Sequence, residues 1–381
     1  MKQLLITLSF IIPLFVFSKD KPKGYDIKDQ KTVACTSVKN QYSSGTCWSF
    51  ATTSFIESEI LKKSGVELDL SEMYFVRIAY YLKAIDFVKF HGKNNFSEGG
   101  QAHDVINIIK KYGMVPENVY QGLNYGEKQH IHVEMEAMLE AMLSSLVKNP
   151  NNKLSTAWKS CVNAVLDIYL GKTPEKFAYD GKDYTPEIFV SVMMFNPDEY
   201  IELTSYRDFP FYTKAVLKIP DNWSRDEYYN VPLDDLMRII NNAIENGYSI
   251  CWDGDVSEIG FSHKNGIAII PEKDELTGKD RLDIGVEIVP EKSITQDMRQ
   301  LTFDNYSTTD DHLMHIVGIA KDQNGTVYYK TKNSWGADSN DFGGFLYMSE
   351  SYVKLKTVAV MVNINAIPSD IASKLGIEYK N

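Results

Sequence analysis

The sequence is poor in cysteine and in clustered positive charge. Its 381 residues include only 4 cysteines, too few for the disulfide framework that holds small secreted domains together. The 40 Lys and Arg residues are outnumbered by 51 Asp and Glu residues, which gives a formal net charge of −11. No basic run is longer than a few residues. Because phosphate contacts need clustered Lys and Arg, we expect no nucleic acid as a partner.

Internal repeats and low-complexity tracts are also absent from the sequence. The composition is 44% hydrophobic and 24% charged, which is typical of a globular protein. A chain of this length can bury a large core, either in one large domain or in two smaller ones.

The N-terminus carries an apolar run from Leu4 to Phe17, preceded by Lys2. The run is shorter than the about 20 residues that span a bilayer, and Pro13 interrupts it. Val16 and Ser18 suit cleavage after Ser18. We therefore predict a signal peptide at residues 1–18, no stable membrane span after its removal, and a secreted or periplasmic protein. A membrane anchor is the alternative.

The mature chain, residues 19–381, begins with helical patterns. From Cys47 the sequence CWSFATTSFIESEILKKSG has apolar residues at helical spacing and stops at Gly65, which predicts a helix that Cys47 opens. A second helix is predicted after Asp69 or Ser71, either of which can cap it. A third is predicted in the segment GGQAHDVINIIKKYG.

The pattern changes along the chain, and this change predicts the organisation of the fold. Residues 30–120 are predicted as a helical lobe, 121–245 as a helical insertion, 246–365 as a β-rich lobe with alternating patterns, and 366–381 as a C-terminal tail. Such segregation indicates an α+β fold in which a helical lobe faces a sheet or barrel lobe across a cleft.

Cys47 is the candidate nucleophile because a helix N-terminus stabilises a thiolate through unsatisfied N–H groups and the helix dipole. A cysteine hydrolase also needs an imidazole to protonate the leaving amine, and a third group to orient that ring. A small hydrophobic side chain buried where a helix begins is the alternative interpretation of Cys47.

Three of the histidines in the N-terminal half are weaker candidates. His103 lies on a predicted helix, and we expect it on the helix surface. His130 and His132 stand in HIHVEME, a spacing that could place three metal ligands on one strand face. The following residues have a helical pattern and no second ligand cluster occurs, so neither a metal nor another cofactor is predicted.

The histidines of the C-terminal half include the better candidate. His263 lies in the turn-like segment FSHKNG. His312 and His315 share one predicted strand, and an offset of three places them on opposite faces. His312 stands at the start of the strand, where a cleft would open, whereas His315 stands among core residues. We therefore predict that His312 is the catalytic histidine.

Two polar side chains complete the predicted site. Asn333, in KNSWG on the next strand, can accept a hydrogen bond from the imidazole and fix its tautomer, while Trp335 shields that bond from water. Gln41 can donate to an oxyanion together with the backbone N–H of Cys47. The predicted catalytic set is therefore Cys47, His312, Asn333 and Gln41.

The segments QYSSGTCWSF, EGGQAHDVI, DHLMHIVGI and KNSWG resemble, in this order, the motifs of the papain superfamily of cysteine peptidases. Ser44 stands where papain-type enzymes have their first cysteine, so that disulfide is absent. Cys47 and His312 are also much farther apart than the about 130–150 residues of papain-like chains. Both departures are similar to the bleomycin hydrolase and aminopeptidase C branch, whose resemblance extends from about residue 30 to about residue 370.

The resemblance implies a papain-like fold with a long helical insertion and a peptide substrate. It assigns Gly99 and Gly100 to substrate binding through their backbone groups, and Trp335 to the same cleft. In that branch a C-terminal arm lies in the cleft of a hexameric ring and restricts cleavage to residues near a free N-terminus. A homo-oligomer, up to a hexamer, is therefore an expectation, although the tail here is shorter and SDIASKLG has helical spacing.

The function predicted from the sequence is cysteine-type peptide hydrolysis, with aminopeptidase action favoured. An endopeptidase with an unblocked cleft is the first alternative. A non-catalytic peptide-binding protein is the second, and a metal hydrolase built on His130 and His132 is the third. Cys35, Cys161 and Cys251 could form at most one internal disulfide.

Overall fold

The structure is a computed structural model that describes residues 24–149, 153–273 and 284–379. The predicted signal peptide, residues 1–18, lies outside the described residues. No helix within the described ranges is long and apolar enough to cross a membrane.

The helices are α1 (Cys47–Ser64), α2 (Glu72–Lys89), α3 (Ala102–Tyr112), α4 (Val133–Val147), α5 (Ala157–Tyr169), α6 (Pro186–Val192), α7 (Leu233–Glu245), α8 (Gln296–Asp304), α9 (Glu350–Lys356) and α10 (Ser369–Leu375). The strands are β1 (Lys28–Thr32), β2 (Phe177–Tyr179), β3 (Lys182–Tyr184), β4 (Tyr200–Thr204), β5 (Thr213–Val216), β6 (Glu227–Asn230), β7 (Ile250–Gly254), β8 (Phe261–Ser262), β9 (Ile267–Ala268), β10 (His312–Lys321), β11 (Val327–Lys332), β12 (Phe345–Ser349) and β13 (Thr357–Asn363).

The first three helices begin and end where local chemistry dictates. α1 ends at Gly65, whose left-handed conformation (φ 72°) suits a residue without a Cβ. The side chain of Ser71 caps α2 by accepting from Tyr74 N. Gly113 ends α3 with φ 74°, and a Cβ there would lie 2.1 Å from the carbonyl carbon of Pro186. The predictions for these helices are confirmed.

Eleven of the described strands form one sheet in the order β5-β6-β4-β13-β7-β10-β11-β12-β9-β8, with β1 also paired to β10. β10 lies between β7 and β11 and pairs antiparallel with both, so that His312 faces Gly254 and Leu313 faces Asp253. The start of β10 therefore meets the end of β7, while Asn333 follows directly after the end of β11.

Two large hydrophobic cores correspond to the two predicted lobes. One joins α1, α2 and α3 to the inserted helices, with Phe55, Phe75 and Leu139 fully buried. The other lies between the sheet and α7, with Ile240 and Val360 among its members. The α+β, papain-like architecture expected from the sequence is confirmed.

The stretch 121–245 is not purely helical, which differs from the prediction. α4 and α5 pack against α2 as expected, but the stretch also carries β4, β5 and β6, which extend the large sheet. β4 pairs with β13, with Leu203 opposite Val360. β4 joins the sheet through the distant β13, and β5 and β6 join it through β4, so no local pattern indicates these short strands.

Within the predicted β-rich lobe, the segment RLDIGVEIV (residues 281–289) alternates like a strand, and the structure describes it only from residue 284. There it shows a single bridge between Ile284 and Glu287 instead of a regular strand.

The C-terminal tail is helical, as its spacing indicates. α10 buries Ile371 and Leu375 in the sheet-side core, and Asp370 forms ion pairs with Arg238 of α7, at 2.9 Å to Nη2. Tyr379 donates to the Ile367 carbonyl at 2.8 Å. The described part of the tail, to residue 379, therefore packs against α7 of its own chain.

Candidate active site

Cys47 is the first residue of α1, and its side chain is buried against the start of β10. The backbone of Leu313 forms a hydrogen bond with the thiol. Burial raises the pKa of Cys47 to about 12, against the lowering effect of the Leu313 bond, and the nearby carboxyls of Asp310 and Asp221 raise it further. These effects favour the protonated thiol, whereas the place of Cys47 at the start of the helix favours the thiolate.

His312 is the first residue of β10, next in the chain to Leu313. Its Nε2 lies 2.7 Å from Asn333 Oδ1, so the ring donates through Nε2 and leaves Nδ1 unprotonated. Burial lowers the pKa of His312 to about 4, and the hydrogen bond that His312 donates to Asn333 opposes this shift. The neutral imidazole is thus a base, able to take a proton through Nδ1.

Trp335 covers the hydrogen bond between His312 and Asn333. Its ring centroid lies 5.0 Å from that of His312, with an angle of 34° between the planes. The backbone of Asn40 forms a bridge to Trp335, which connects this loop to the segment that precedes α1. Trp335 therefore touches both sides of the site, in the shielding position that the sequence predicts.

Gln41 directly follows Asn40, whose backbone is bridged to that of Trp335. Its Nε2 donates to the Ser44 carbonyl at 2.7 Å, and its Oε1 accepts from Ser334 Oγ at 2.6 Å. One of the two amide hydrogens is thus used by Ser44, which leaves the second for another acceptor. The structure brings Gln41 beside Asn333 through Ser334, and its role at an oxyanion stays a prediction.

The Gly99-Gly100 pair leads into α3 and lies so close to two neighbouring side chains that a Cβ would crowd them. A Cβ on Gly99 would lie 1.9 Å from Asp221 Oδ2, and one on Gly100 would lie 3.0 Å from the Trp48 ring. The Gly99 carbonyl accepts a hydrogen bond from the buried ammonium of Lys83. That carbonyl is therefore already engaged, and the predicted role of the pair in substrate binding depends on its remaining backbone groups.

His103 is buried, so the expectation of a surface position is wrong. Its Nδ1 lies 2.5 Å from Glu202 Oε2 and its Nε2 lies 3.0 Å from Ser224 Oγ. Burial lowers the pKa of His103, but Glu202 and Asp104 outweigh this effect and raise it to about 9. The physical reason is that β4, which carries Glu202, packs over α3, and no sequence pattern indicates that strand.

His263 is a residue near the site that the sequence interpretation missed. Its Nδ1 lies 3.2 Å from Asn333 Nδ2, its Nε2 lies 2.7 Å from Ser339 Oγ, and its ring centroid is 4.8 Å from that of Trp335. Asn333 can thus donate to His263 while it accepts from His312. No short spacing connects these residues, since 70 positions separate His263 from Asn333.

His130 and His132 lie side by side in the helical lobe, with ring centroids 5.9 Å apart. His132 immediately precedes α4, so the two residues do not share the strand face that the metal alternative required. Among the described residues, no group of three or more His, Cys, Asp or Glu side chains is placed to hold a metal ion. Their rings pack against Phe50 and Tyr80 instead.

The remaining cysteines do not form a disulfide within the described residues. Cys35, Cys161 and Cys251 are free thiols, as is Cys47. Cys251 is buried on β7, with its Sγ 3.5 Å from Thr52 Oγ1 of α1, whereas Cys161 is exposed on α5.

Comparisons with known proteins agree with the fold and with the order of the motifs. The model of the Peptidase C1-like family matches residues 25–379. Human bleomycin hydrolase is 24% identical over 390 residues, which cover 89% of this chain and 82% of the human protein. Cysteine proteinase 1, mitochondrial, from Saccharomyces cerevisiae strain JAY291 is 21% identical over 389 residues, covering 89% of this chain and 77% of the yeast protein.

Among solved structures, PepW from Lactobacillus rhamnosis HN001 superimposes with a TM-score of 0.71 at 19% identity, covering 92% of this chain and 84% of that chain. This likeness shows a shared fold. With the family match over nearly the whole chain, the protein belongs to the Peptidase C1-like family, in the bleomycin hydrolase and aminopeptidase C branch of the papain-fold cysteine peptidases.

Proposed function

We propose that this protein hydrolyses peptide bonds through Cys47, His312, Asn333 and Gln41, and that it acts as an aminopeptidase. The observation that carries the proposal is the meeting of Cys47 with the start of β10, where Asn333 holds His312 with Nδ1 unprotonated. The relatives named bleomycin hydrolase and cysteine proteinase support the class of reaction.

The protonated thiol and the neutral imidazole decide the order of proton transfers. As Cys47 Sγ attacks the peptide carbonyl carbon, His312 Nδ1 takes the thiol proton. The backbone N–H of Cys47 and the second amide hydrogen of Gln41 donate to the developing oxyanion. His312 then gives its proton to the leaving amine, and a thioester on Cys47 remains.

The second half of the reaction returns the enzyme to its starting state. His312 Nδ1 takes a proton from water, and the resulting hydroxide attacks the thioester carbonyl. The C–S bond breaks, the carboxylic acid leaves, and His312 returns a proton to the Cys47 sulfur. Asn333 keeps the ring in one orientation throughout because its Oδ1 accepts from Nε2 in each protonation state.

An endopeptidase is the second candidate, and the packing of the C-terminal tail is the observation that favours it. The described part of the tail, to residue 379, packs on α7, so the restriction that an arm in the cleft would impose is not supplied by these residues. Comparing peptides with free and acetylated N-termini separates the candidates, because equal cleavage of both would reject aminopeptidase action.

Labelling with a thiol-directed epoxide peptidase inhibitor tests the nucleophile. We expect modification of Cys47 in the reduced protein, and no turnover by Cys47→Ala. Cys161→Ala is the matched control, since this exposed thiol lies far along the chain on α5 and its loss should leave both labelling and turnover unchanged. Unchanged peptidase activity in Cys47→Ala would reject the proposal; full-affinity peptide binding without turnover in the wild type would favour a non-catalytic binding protein.

We also propose that the protein is exported after cleavage behind Ser18 and that it assembles into a homo-oligomer. The motive for the first is the apolar N-terminal run, and for the second the resemblance to a ring-forming branch. N-terminal sequencing of the secreted protein and light scattering of the purified protein test them. An intact N-terminus in the cell interior would reject the first, and a monomer at all concentrations would reject the second.

A further inference from the structure

Two carboxyl groups lie beside Cys47 and take no part in the mechanism. Asp310 stands two residues before His312, and Asp253 stands on β7 opposite Leu313, whose backbone bonds the Cys47 thiol. Both carboxyls are therefore close to the nucleophile. Gln101 Nε2 donates to Asp310 Oδ2 at 2.8 Å.

Asp253 is buried without a hydrogen-bond donor. Its exposed fraction is 3%, and neither of its carboxyl oxygens accepts from any donor among the described residues. The polar group that it meets is the carboxyl of Asp310. Within the described ranges Asp253 has no hydrogen-bond donor and Asp310 accepts from the neutral amide of Gln101, although buried carboxylates are normally paired with a cation.

Two buried cations on the helical side have partners of their own. Lys83 donates to the carbonyls of Ser97, at 2.9 Å, and of Gly99. Burial raises the pKa of Asp221, and the charge of Lys83 opposes this shift. His103 is held by Glu202. The charges that act most strongly on Asp253 and Asp310 are those of other carboxyls, which leaves a place beside this pair for a positive charge from outside the chain.

A groove at the surface is lined in part by Asp310. Its volume is about 540 Å³, and its apolar wall is formed by Leu217, Ile219, Pro220, Phe303 and Tyr306, with Asp208, Lys218 and Asp304 as its other charged residues. The next residue after Pro220 is Asp221, whose carboxyl lies against Gly99. The groove therefore gives a ligand access to Asp310 beside an apolar wall.

We propose that Asp253 and Asp310, with Asp221 on the opposite wall, form a subsite that binds the cationic nitrogen of a peptide substrate. This inference rests on the proposed peptidase function and adds a substrate class to it. Burial and the neighbouring carboxyl of Asp310 raise the pKa of Asp253, which favours a proton on this pair; a bound cation takes the place of that proton. The same cation offsets the carboxyls that oppose ionisation of Cys47.

The cation can come from two sources, the N-terminal ammonium of the peptide or the side chain of a Lys or Arg residue near the scissile bond. Three fluorogenic peptides of equal length separate them: one with a free N-terminus and neutral side chains, one acetylated with neutral side chains, and one acetylated with a single Lys. We expect kcat/KM for at least one cationic peptide to exceed that of the neutral peptide by about 10-fold or more.

Asp310→Asn and Asp253→Asn test the residues themselves. Each should lower kcat/KM for the preferred cationic peptide by about 10-fold or more relative to the change that the same variant shows on the acetylated neutral peptide. Asp183→Asn is the matched control, because it removes the same charge from the exposed strand β3. It should change none of the three values.

The outcomes distinguish this inference from the proposed function. If none of the three peptides is cleaved and Cys47 is not labelled, the peptidase function fails. If all three are cleaved equally by the wild type, or if the Asn variants lose activity equally on all three, the cation subsite is wrong while the peptidase stands. The wild-type comparison decides the matter even if a variant does not fold, and a preference for free N-termini alone identifies the ammonium.

Discussion

The two walls of the cleft hold their functional residues in different ways. On the helical side, Cys47 is placed by the start of α1, and its neighbours Gln41 and Ser44 lie within six positions along the chain. On the sheet side, His312 is placed by the pairing of β10 with β7. It forms a hydrogen bond with Asn333, 21 positions away, and Asn333 in turn contacts His263, which is 70 positions from it.

This difference teaches which parts of the site tolerate change. A residue placed by its own helix keeps its position as long as the helix forms. A residue placed by strand register depends on every pair along the ladder, since a slip by one position turns the side chain to the other face. We therefore expect the sheet wall to be the more sensitive of the two.

The largest expected effect is on kcat, in a comparison of variants at the two histidines of β10. His312→Ala should lower kcat by about 10³-fold, because acid–base catalysis contributes about 10²–10⁴-fold. His315 points to α1, with Nδ1 2.8 Å from Ser54 Oγ, so His315→Ala should keep kcat in the folded protein and lower the free energy of unfolding by about 1–3 kcal/mol. Steady-state kinetics and urea denaturation measure both, and an equal loss of kcat would contradict the assignment.

The next largest effect is expected on stability, when the packing of the C-terminal tail against the sheet-side core is weakened. Ile371 is fully buried, so Ile371→Ala should lower the free energy of unfolding by about 2–5 kcal/mol. Asp370→Ala, which removes an exposed ion pair with Arg238, should cost less than about 1 kcal/mol. The ratio of rates on free and acetylated peptides should stay constant in both variants. A changed ratio at unchanged stability would place the tail in the cleft instead.

A smaller effect concerns His132 in the helical wall, whose two ring nitrogens have no hydrogen-bond partner among the described residues. Burial lowers the pKa of His132 to about 3. The unfolded chain binds a proton below about pH 6.5 and the folded chain does not, so this residue costs stability as the pH falls below that value.

His132→Leu removes that cost. The variant should be more stable than the wild type by about 1 kcal/mol at pH 8, because an unsatisfied polar group is removed, and by about 2 kcal/mol more at pH 5. Urea denaturation at both values measures the difference. A gain that is independent of pH would show that His132 titrates normally in the folded protein.

The smallest expected effect is at His263, whose ring contacts the side-chain amide of Asn333. His263→Ala should lower kcat/KM by about 2–10-fold, since Asn333 loses the acceptor for its amide while its bond to His312 remains. His263→Gln can accept through its side-chain oxygen and should restore most of the loss. Equal values for the two variants would show that the contact contributes nothing to orientation.

The helical wall could be predicted in detail because its signals are local. The start of α1 at Cys47, its end at Gly65 and the cap at Ser71 each depend on contacts within about four residues. The choice of His312 over His315 was also accessible, since strand alternation fixes which residues share a face. The helical tail followed from its spacing in the same way.

The strands of the insertion were not predicted because their place in the sheet depends on a distant partner. β5 pairs with β6 and β6 with β4, but β4 joins the sheet through β13, as in the pairing of Leu203 with Val360. The burial of His103 follows from β4, and the contact of His263 with Asn333 follows from a turn brought back to the site.

By itself the sequence determined the class of fold and the helix that begins at Cys47, the proposed nucleophile, since periodicity and capping are properties of neighbouring residues. Only the tertiary structure decided the shifts in the pKa values of Cys47 and His312, because burial, which no local pattern reports, is their main cause. It also decided where the carboxyls of Asp253 and Asp310 meet, since strand pairing brings together residues that are distant along the chain.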